Sequence, residues 1–330
     1  MENIADFNLI HDTIWALTKS RTLQSGIDLN VFDHIHSGCN SVEALVSKTQ
    51  ASTRGMQALL DGLTVLGFLE KQEKKYSLSN ASSTFLVSSS PTYVGDFVNN
   101  VEELWEPWGN LTKSIQEGGP VVDRTYDEVF FQTLVTRLFS LCYPMATMFA
   151  DQLGIGSSLS NLKIFDVASG SSPWGIAFAQ ADSGATVLAN DFPGVLEVAK
   201  RHAEKFGVAD RFSYLPGDIK EIKNVETTFD LVILGHICHG LSFDDNQQLI
   251  QRAYSWLKPN GKVLIADLVC DDNRSETVFP VIFALNMLVL NQEGSSYTES
   301  EYRQWLSVAG FKSTEFIEIP TGTSLFLGTK

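Results

Sequence analysis

The segment "ILGHICHG" (233–240) sets an imidazole, His239, where an apolar, strand-like run gives out. In parallel α/β folds, side chains at the C-terminal ends of strands face the crevice that binds ligands. An imidazole titrates near ~6.5 and a phenol near ~10, so a neutral His is available at pH 7 to take a proton from an attacking hydroxyl group. His236 stands one turn earlier and has the blander reading of a packed histidine. No carboxylate–His signature accompanies the pair, so the spacing does not point to a metal site.

A second stretch, "IFDVASGSSPWGIAFAQ" (164–180), begins like a nucleotide-binding loop but lacks most of the expected glycines. An acid, Asp166, ends a strand-like run, small residues follow at Ala168, Gly170 and Ser172, and Pro173 suits the first turn of a helix. Small side chains leave the backbone approachable, and Ala168 and Ser172 are expected at φ below zero, because a position needing positive φ favours glycine. The alternative is a tight strand-to-helix turn that holds nothing. Asp191 ends the next strand-like run, where a carboxylate can accept from both hydroxyls of a ribose. It also reads as a turn residue.

The elements that must position these groups fall into two regions. From 156 to 330, "LKIFDVA", "TVLAND", "RFSYLPGD", "FDLVILGHI" and "GKVLIADLV" alternate with segments of helical apolar spacing. That pattern predicts an α/β fold with a doubly wound, mostly parallel sheet. A helix, "TESEYRQWLSVAGF", then precedes two strands joined at "TG", a terminal antiparallel hairpin that would complete seven strands. From 1 to 155 the pattern is mostly helical, with Ser41 capping one helix and a short hairpin near 67–78. Three helices and a two-stranded wing resemble a winged helix. Its candidate recognition helix, Thr53 to Leu66, carries one Arg and no Lys, which disfavours DNA binding and leaves dimerisation or packing.

The chain has 330 residues, 44% hydrophobic and 19% charged, ordinary proportions for a globular enzyme of two domains. A net charge of −15 argues against nucleic acid and against an anionic membrane surface. The most apolar run, "VFPVIFALNMLVL" (278–290), is too short to span a bilayer. Four cysteines without C-x-x-C spacing read as reduced and buried, and early acids with no long apolar run lead us to expect no signal peptide. A cytoplasmic protein is expected.

Taken in order, "FDVASGSS", "NDFPGVLEVAK", "LPGDI", "ILGHICHGLSFDD", "LKPNGKVLIAD" and "GSSYTESEYRQWLSVAGF" resemble the small-molecule O-methyltransferases of the hydroxyindole, caffeic-acid and polyketide-tailoring type. The resemblance covers nearly the whole chain. It implies a winged-helix dimerisation domain (1–155) that contributes to the acceptor pocket and a catalytic domain (156–330) that binds S-adenosyl-L-methionine (SAM), with S-adenosylhomocysteine as product. SAM carries no phosphate, which removes the need for a glycine-rich anion cradle.

The resemblance also implies roles. Asp166, Ala168 and Gly170 would border the cofactor, Asp191 would take its ribose, and Phe192 would pack on the adenine. Asp218 would accept from the adenine amino group, with Ile219 against the ring; helix capping is the alternative for Asp218. His239 would be the general base and Asp267 the acid that fixes its tautomer. Tyr143, Met148, Met287 and Asn291 would line the acceptor pocket, with Phe139, Trp105 and Phe283 as further neighbours, although aromatic and Met residues at helical spacing also read as core. The chain departs from the family at Gly240 and Ser296, where acids are usual. Methylation at carbon or a non-methylating reaction on the same fold is therefore an alternative, and so is a regulatory protein with a decayed SAM site. The expected partners are a small-molecule acceptor and, through the N-terminal helices, a second copy of the chain.

Overall fold

The computed structural model describes residues 2–90, 92–98, 103–123, 128–223, 225–318 and 323–330, with side chains from Phe7 onward. The side chain of Ile4, an apolar residue of the first helix, is not described, and the "TG" turn at 321–322 lies outside the described residues. Packing divides the chain into two compact units, Met1–Glu103 and Leu104–Lys330. The division falls earlier than the change of sequence pattern near 155, because the helix Glu128–Gln152 packs on helices Pro173–Ala181 and Pro193–Lys205 of the second unit.

In the first unit, helix Glu2–Asp28 leads to short helices Val31–His36 and Val42–Thr49 and to helix Thr53–Val65. Ser41 caps the third of these, its hydroxyl accepting from the Ala44 N–H at 3.3 Å, and Ser52 caps the fourth in the same way at 3.1 Å. Such caps are worth ~1 kcal/mol each. Strands β1 (Leu69–Gln72) and β2 (Lys75–Leu78) form the antiparallel wing. Val31, Phe32, Leu45, Met56, Leu60 and Leu63 fill the core beneath it. The first helix stays out of that core along much of its length: Phe7, Ile10, Ile14 and Leu17, spaced along one helical face, are all exposed.

The second unit is built on a mixed sheet of β3 (Lys163–Val167), β4 (Thr186–Asp191), β5 (Phe212–Pro216), β6 (Phe229–Gly235), β7 (Leu257–Cys270), β8 (Tyr297–Thr298), β9 (Ser313–Ile317) and β10 (Thr323–Thr329). The seven-strand path runs β5-β4-β3-β6-β7-β10-β9, with the short β8 paired to the end of β7. All pairs from β5 to β7 are parallel, and β10 lies antiparallel between β7 and β9. The expected mostly parallel sheet and terminal antiparallel hairpin are both present. Alternation along β3 feeds both faces: Ile164 joins the core under helix Pro173–Ala181, and Phe165 and Val167 join the core under Trp256. The strand order reverses at β3, so the loops leaving β3, β4 and β6 open onto one crevice.

Candidate active site

The loop after β3 folds back on its own acid. Asp166 is buried, and its Oδ2 accepts from the Ser172 hydroxyl at 2.5 Å and from the Gly175 N–H at 3.2 Å. Burial pushes its pKa up to about 7, against the pull of those two bonds. Asp166 is thus the clasp of the loop, and the site is bordered by the backbone it holds. A Cβ at Gly175 would come within 2.8 Å of that carboxylate, which explains why glycine stands there.

The backbone corrects one expectation. Ala168 (φ 47°), Gly170 (φ 58°) and Ser172 (φ 55°) are all left-handed, so the two residues replacing glycine do not sit at negative φ. Each non-glycine in that region costs about 1–2 kcal/mol. Bonds across the loop offset this: Ser172 N–H to Ser169 C=O at 2.7 Å, Ser169 N–H to Asn190 C=O at 2.8 Å, and Ser172 Oγ–H to Asp166. Asn190 is fully buried on β4 and fixes the neighbouring loop through bonds to Leu215 and Gly217 carbonyls.

Asp191 reaches across from β4. Its Oδ2 accepts from the Gly170 N–H and its Oδ1 from the Phe192 N–H, both at 2.8 Å. Burial raises its pKa despite these bonds, and repulsion from Asp218 and Glu128 adds to the rise. Phe192 is 38% exposed beside it. Asp218 holds the start of its own loop, accepting from the Lys220 N–H at 2.8 Å. Ile219 turns into the core and is nearly covered. Helix Glu128–Gln152 closes over this region in a way the sequence did not suggest: Glu128 accepts from the Gly194 N–H, Phe131 meets Phe192, and the Ser171 hydroxyl donates to the Val135 carbonyl.

The residues fit a nucleoside cofactor. An acceptor-rich rim (Asp191, Asp218), an exposed ring (Phe192) and the buried, unpartnered Ser169 Oγ all call for ligand donors and apolar surface.

On the other side of the switch point stands His239. Its Nδ1 lies 2.6 Å from Oδ1 of Asp267, and its own backbone N–H donates to Oδ2 at 3.0 Å. Asp267 is fully buried in the C-terminal part of β7 and also accepts from the Leu268 N–H at 2.8 Å. Burial opposes charge on both groups, but each stabilises the other. The His239 pKa is held above its ordinary value and that of Asp267 below it. An ionised Asp267 assigns the proton to Nδ1 and leaves Nε2 with the lone pair. Phe283 packs on the imidazole in a T-shaped contact, ring centroids 5.2 Å apart.

His236 is more than a packed histidine. It is left-handed (φ 58°), its Nε2 is buried without a partner, and a ring nitrogen lies within 4.8 Å of ligating atoms of His239 and Asp267. Asp267 Oδ1 already receives the His239 Nδ1 proton, so the trio is organised as a hydrogen-bonded pair with a neighbour.

The acceptor-side residues divide. Met287 is buried on helix Val278–Leu290, the helix that brings Phe283 to His239. Trp108, beside Trp105, donates from Nε1 to Asn286 at 3.0 Å and ties that helix to helix Trp105–Gly109. Asn291 is engaged elsewhere: its Oδ1 accepts from Glu293 and Gly294 N–H groups at 2.8 Å and its Nδ2 donates to the Gly240 carbonyl at 3.1 Å. It shapes the turn whose Ser295 N–H binds the His239 carbonyl at 2.9 Å. Tyr143 stacks on Phe139 and meets Phe206 at a tilt, with its hydroxyl donating to Gln180. Phe139 belongs to the core and Met148 is exposed. Helical spacing alone could not separate these core positions from lining ones. Gly240 has open space beyond its Cα, and Ser296 is buried with an unpartnered hydroxyl, so neither supplies a second carboxylate.

Residues 108–312 match the family model of the O-methyltransferase domain, and residues 12–88 match that of the O-methyltransferase dimerisation domain. The tetracenomycin polyketide synthesis 8-O-methyl transferase TcmO of Streptomyces glaucescens is 26% identical over 96% of this chain and 94% of its own length. The SAM-dependent methyl transferase PigF of Serratia sp. is 24% identical over 94% and 92%. Among solved structures, a putative O-methyltransferase from Nostoc punctiforme superposes with a TM-score of 0.89 at 28% identity, covering 98% of both chains. Human N-acetylserotonin methyltransferase in complex with SAM shares the fold, with a TM-score of 0.85 at 23% identity over 98% of this chain and 97% of that one.

Proposed function

Because the chain belongs to the O-methyltransferase family, we propose that it methylates a hydroxyl group on a small aromatic or polyketide-like molecule, with His239 as general base. The enzyme is SAM-dependent and its acceptor is a small molecule. The observation that carries the base assignment is the double hold of Asp267 on His239, which leaves Nε2 directed away from the acid beside an apolar wall.

When bound, SAM supplies an electrophilic methyl group on a sulfonium centre. Gly170, Asp191, Phe192 and Asp218 would hold it. Asp191 would accept from the ribose hydroxyls while keeping the loop in register through Gly170. On the acceptor side, Nε2 of His239 takes the hydroxyl proton as the oxygen becomes a nucleophile, and Asp267 stabilises the imidazolium that results. Phe283 and Met287 exclude water and seat a flat ring, so that much of the rate comes from alignment. The polyketide-tailoring relative TcmO supports the aromatic or polyketide class of acceptor.

A dimerisation domain is present. The exposed apolar face of helix Glu2–Asp28 supports a homodimer through an isologous interface. No helix among the described residues is long and apolar enough to cross a membrane. The test of the function is an acceptor screen with isotope-labelled SAM, read by mass spectrometry. Transfer of the label to phenolic oxygen is the expected outcome; transfer only to carbon, or none across phenols while SAM binds, overturns the reading.

A further inference from the structure

His236 occupies a position that packing alone does not explain. The parallel ladder of β6 on β7 ends at Gly235 opposite Ala266, and the His236 N–H then donates to the Ala266 carbonyl at 2.8 Å. At that point the backbone turns left-handed, a conformation in which His, Asn and Asp are the enriched non-glycine residues. The turn aims the ring toward the first residue past the ladder on β7, which is Asp267. His236 is half-buried, its Nε2 is shut off from solvent without a partner, and a ring nitrogen lies within 4.8 Å of ligating atoms of His239 and Asp267. No direct bond or ion pair joins the ring to Asp267, and one bridging water fits inside that limit, since two bonds of about 2.8 Å at a tetrahedral angle cover about 4.6 Å.

Asp267 has room for the contact. Its Oδ1 accepts from His239 Nδ1 and Leu268 N–H, and its Oδ2 accepts from the His239 N–H. A carboxylate oxygen has two lone-pair directions, so Oδ2 retains one, and the buried Tyr302 hydroxyl is the other donor near this carboxylate.

We propose that His236 is a positioning residue whose ring N–H donates, through one water, to the free side of Asp267 and limits how strongly Asp267 holds the His239 proton. The inference rests on the reading of His239 as base. Burial drives the His236 pKa down to about 4, so the ring stays neutral while His239 titrates. The other ionisable groups at Asp267 are Cys238 and Tyr302, and burial holds both neutral, far above their ordinary values. Helix Val278–Leu290, which packs on His239 through Phe283, carries no ionisable residue. Each donor to Asp267 shares its negative charge. Removing one raises the affinity of His239 for its proton.

The experiment is a histidine NMR titration of the full-length protein without cofactor, alongside the pH dependence of kcat/KM. His236→Asn tolerates the left-handed turn but loses the reach to Asp267. His236→Gln places its amide nitrogen near the position of Nε2. The Asn variant should move the His239 midpoint, and the rising limb of kcat/KM with it, upward by about half a pH unit or more. The Gln variant should restore both. In the wild type, His236 should show no titration across pH 5–9. A His239 midpoint that is unmoved in the Asn variant, while only thermal stability falls, overturns the proposal. So does a wild-type His236 that titrates, or a shift produced by Tyr302→Phe and not by His236→Asn. Failure of the base reading gives a different signature: His239→Ala at full speed, whatever the midpoints.

Discussion

Asp267 holds His239 twice, at ring Nδ1 and at the backbone N–H, so one buried carboxylate orients both the imidazole and the chain that carries it. The pair is therefore set before any ligand arrives, and its ionisation is fixed by the fold.

His239→Ala should lower turnover by about 10²–10⁴-fold, the usual contribution of a positioned base, with SAM affinity unchanged. In the wild type, kcat/KM should rise with pH through one ionisation above the ordinary His value, since the free base is active and Asp267 raises the pKa. Asp267→Asn removes that attraction, so the limb should move to lower pH while the plateau falls. Stopped-time assays across pH read all three; a flat wild-type profile would point to an acceptor that is already ionised.

Asp191→Ala should weaken SAM binding by about 1.5–3 kcal/mol, the value of hydrogen bonds to a charged group. The structure adds a second effect, since the variant also releases the Gly170 N–H. The raised pKa of Asp191 gives a sign for wild type: SAM affinity should begin to fall on acidification above the ordinary carboxylate range, as protonation removes an acceptor. Calorimetry at several pH values checks both, and a folded Asp191→Ala protein with wild-type affinity would remove the ribose assignment.

Two glycine substitutions in the same loop should act with opposite sign. Ala168→Gly relieves a left-handed residue and should stabilise by roughly 0.5–1 kcal/mol after the entropy of glycine is counted. Ser172→Gly relieves the same strain but strips the hydroxyl from buried Asp166, so it should destabilise by about 1–3 kcal/mol. Thermal melts of the two variants decide it.

Phe7 and Ile14, 63% and 67% exposed on the first helix, should be covered in solution by a second copy. Light scattering at micromolar protein should give the dimer mass, and replacing both by Glu should give monomer or aggregate. A monomeric wild type would end this assignment.

Much of this was legible in the sequence because strand and helix periods differ and the motifs occur in order. The parallel strands, the terminal hairpin, the Ser41 cap and the His239–Asp267 pair follow from local pattern and resemblance. What was not legible depends on direction. Tyr143 and Met287 look alike as apolar residues at helical spacing, yet one faces Phe206 and the other lies on the helix beside His239. Asn291 carries a pocket-like amide, but three backbone groups of its own turn and of Gly240 claim it. The left-handed Ala168 and Ser172 could not be read either, because the bonds that stabilise them come from residues on another strand and from the loop itself.

The antiparallel insertion of β10 has a consequence for the newly made chain. Ser324 pairs with Asp267, so the strand carrying the orienting acid keeps one open edge until the segment beyond 323 has left the ribosome. N-terminal parts of a chain fold first during synthesis. The loop proposed to hold SAM, on β3 and β4, can therefore mature early, while the half of the site carrying the proposed base is assembled last. A nascent chain would be competent to hold the methyl donor before it is competent to use it.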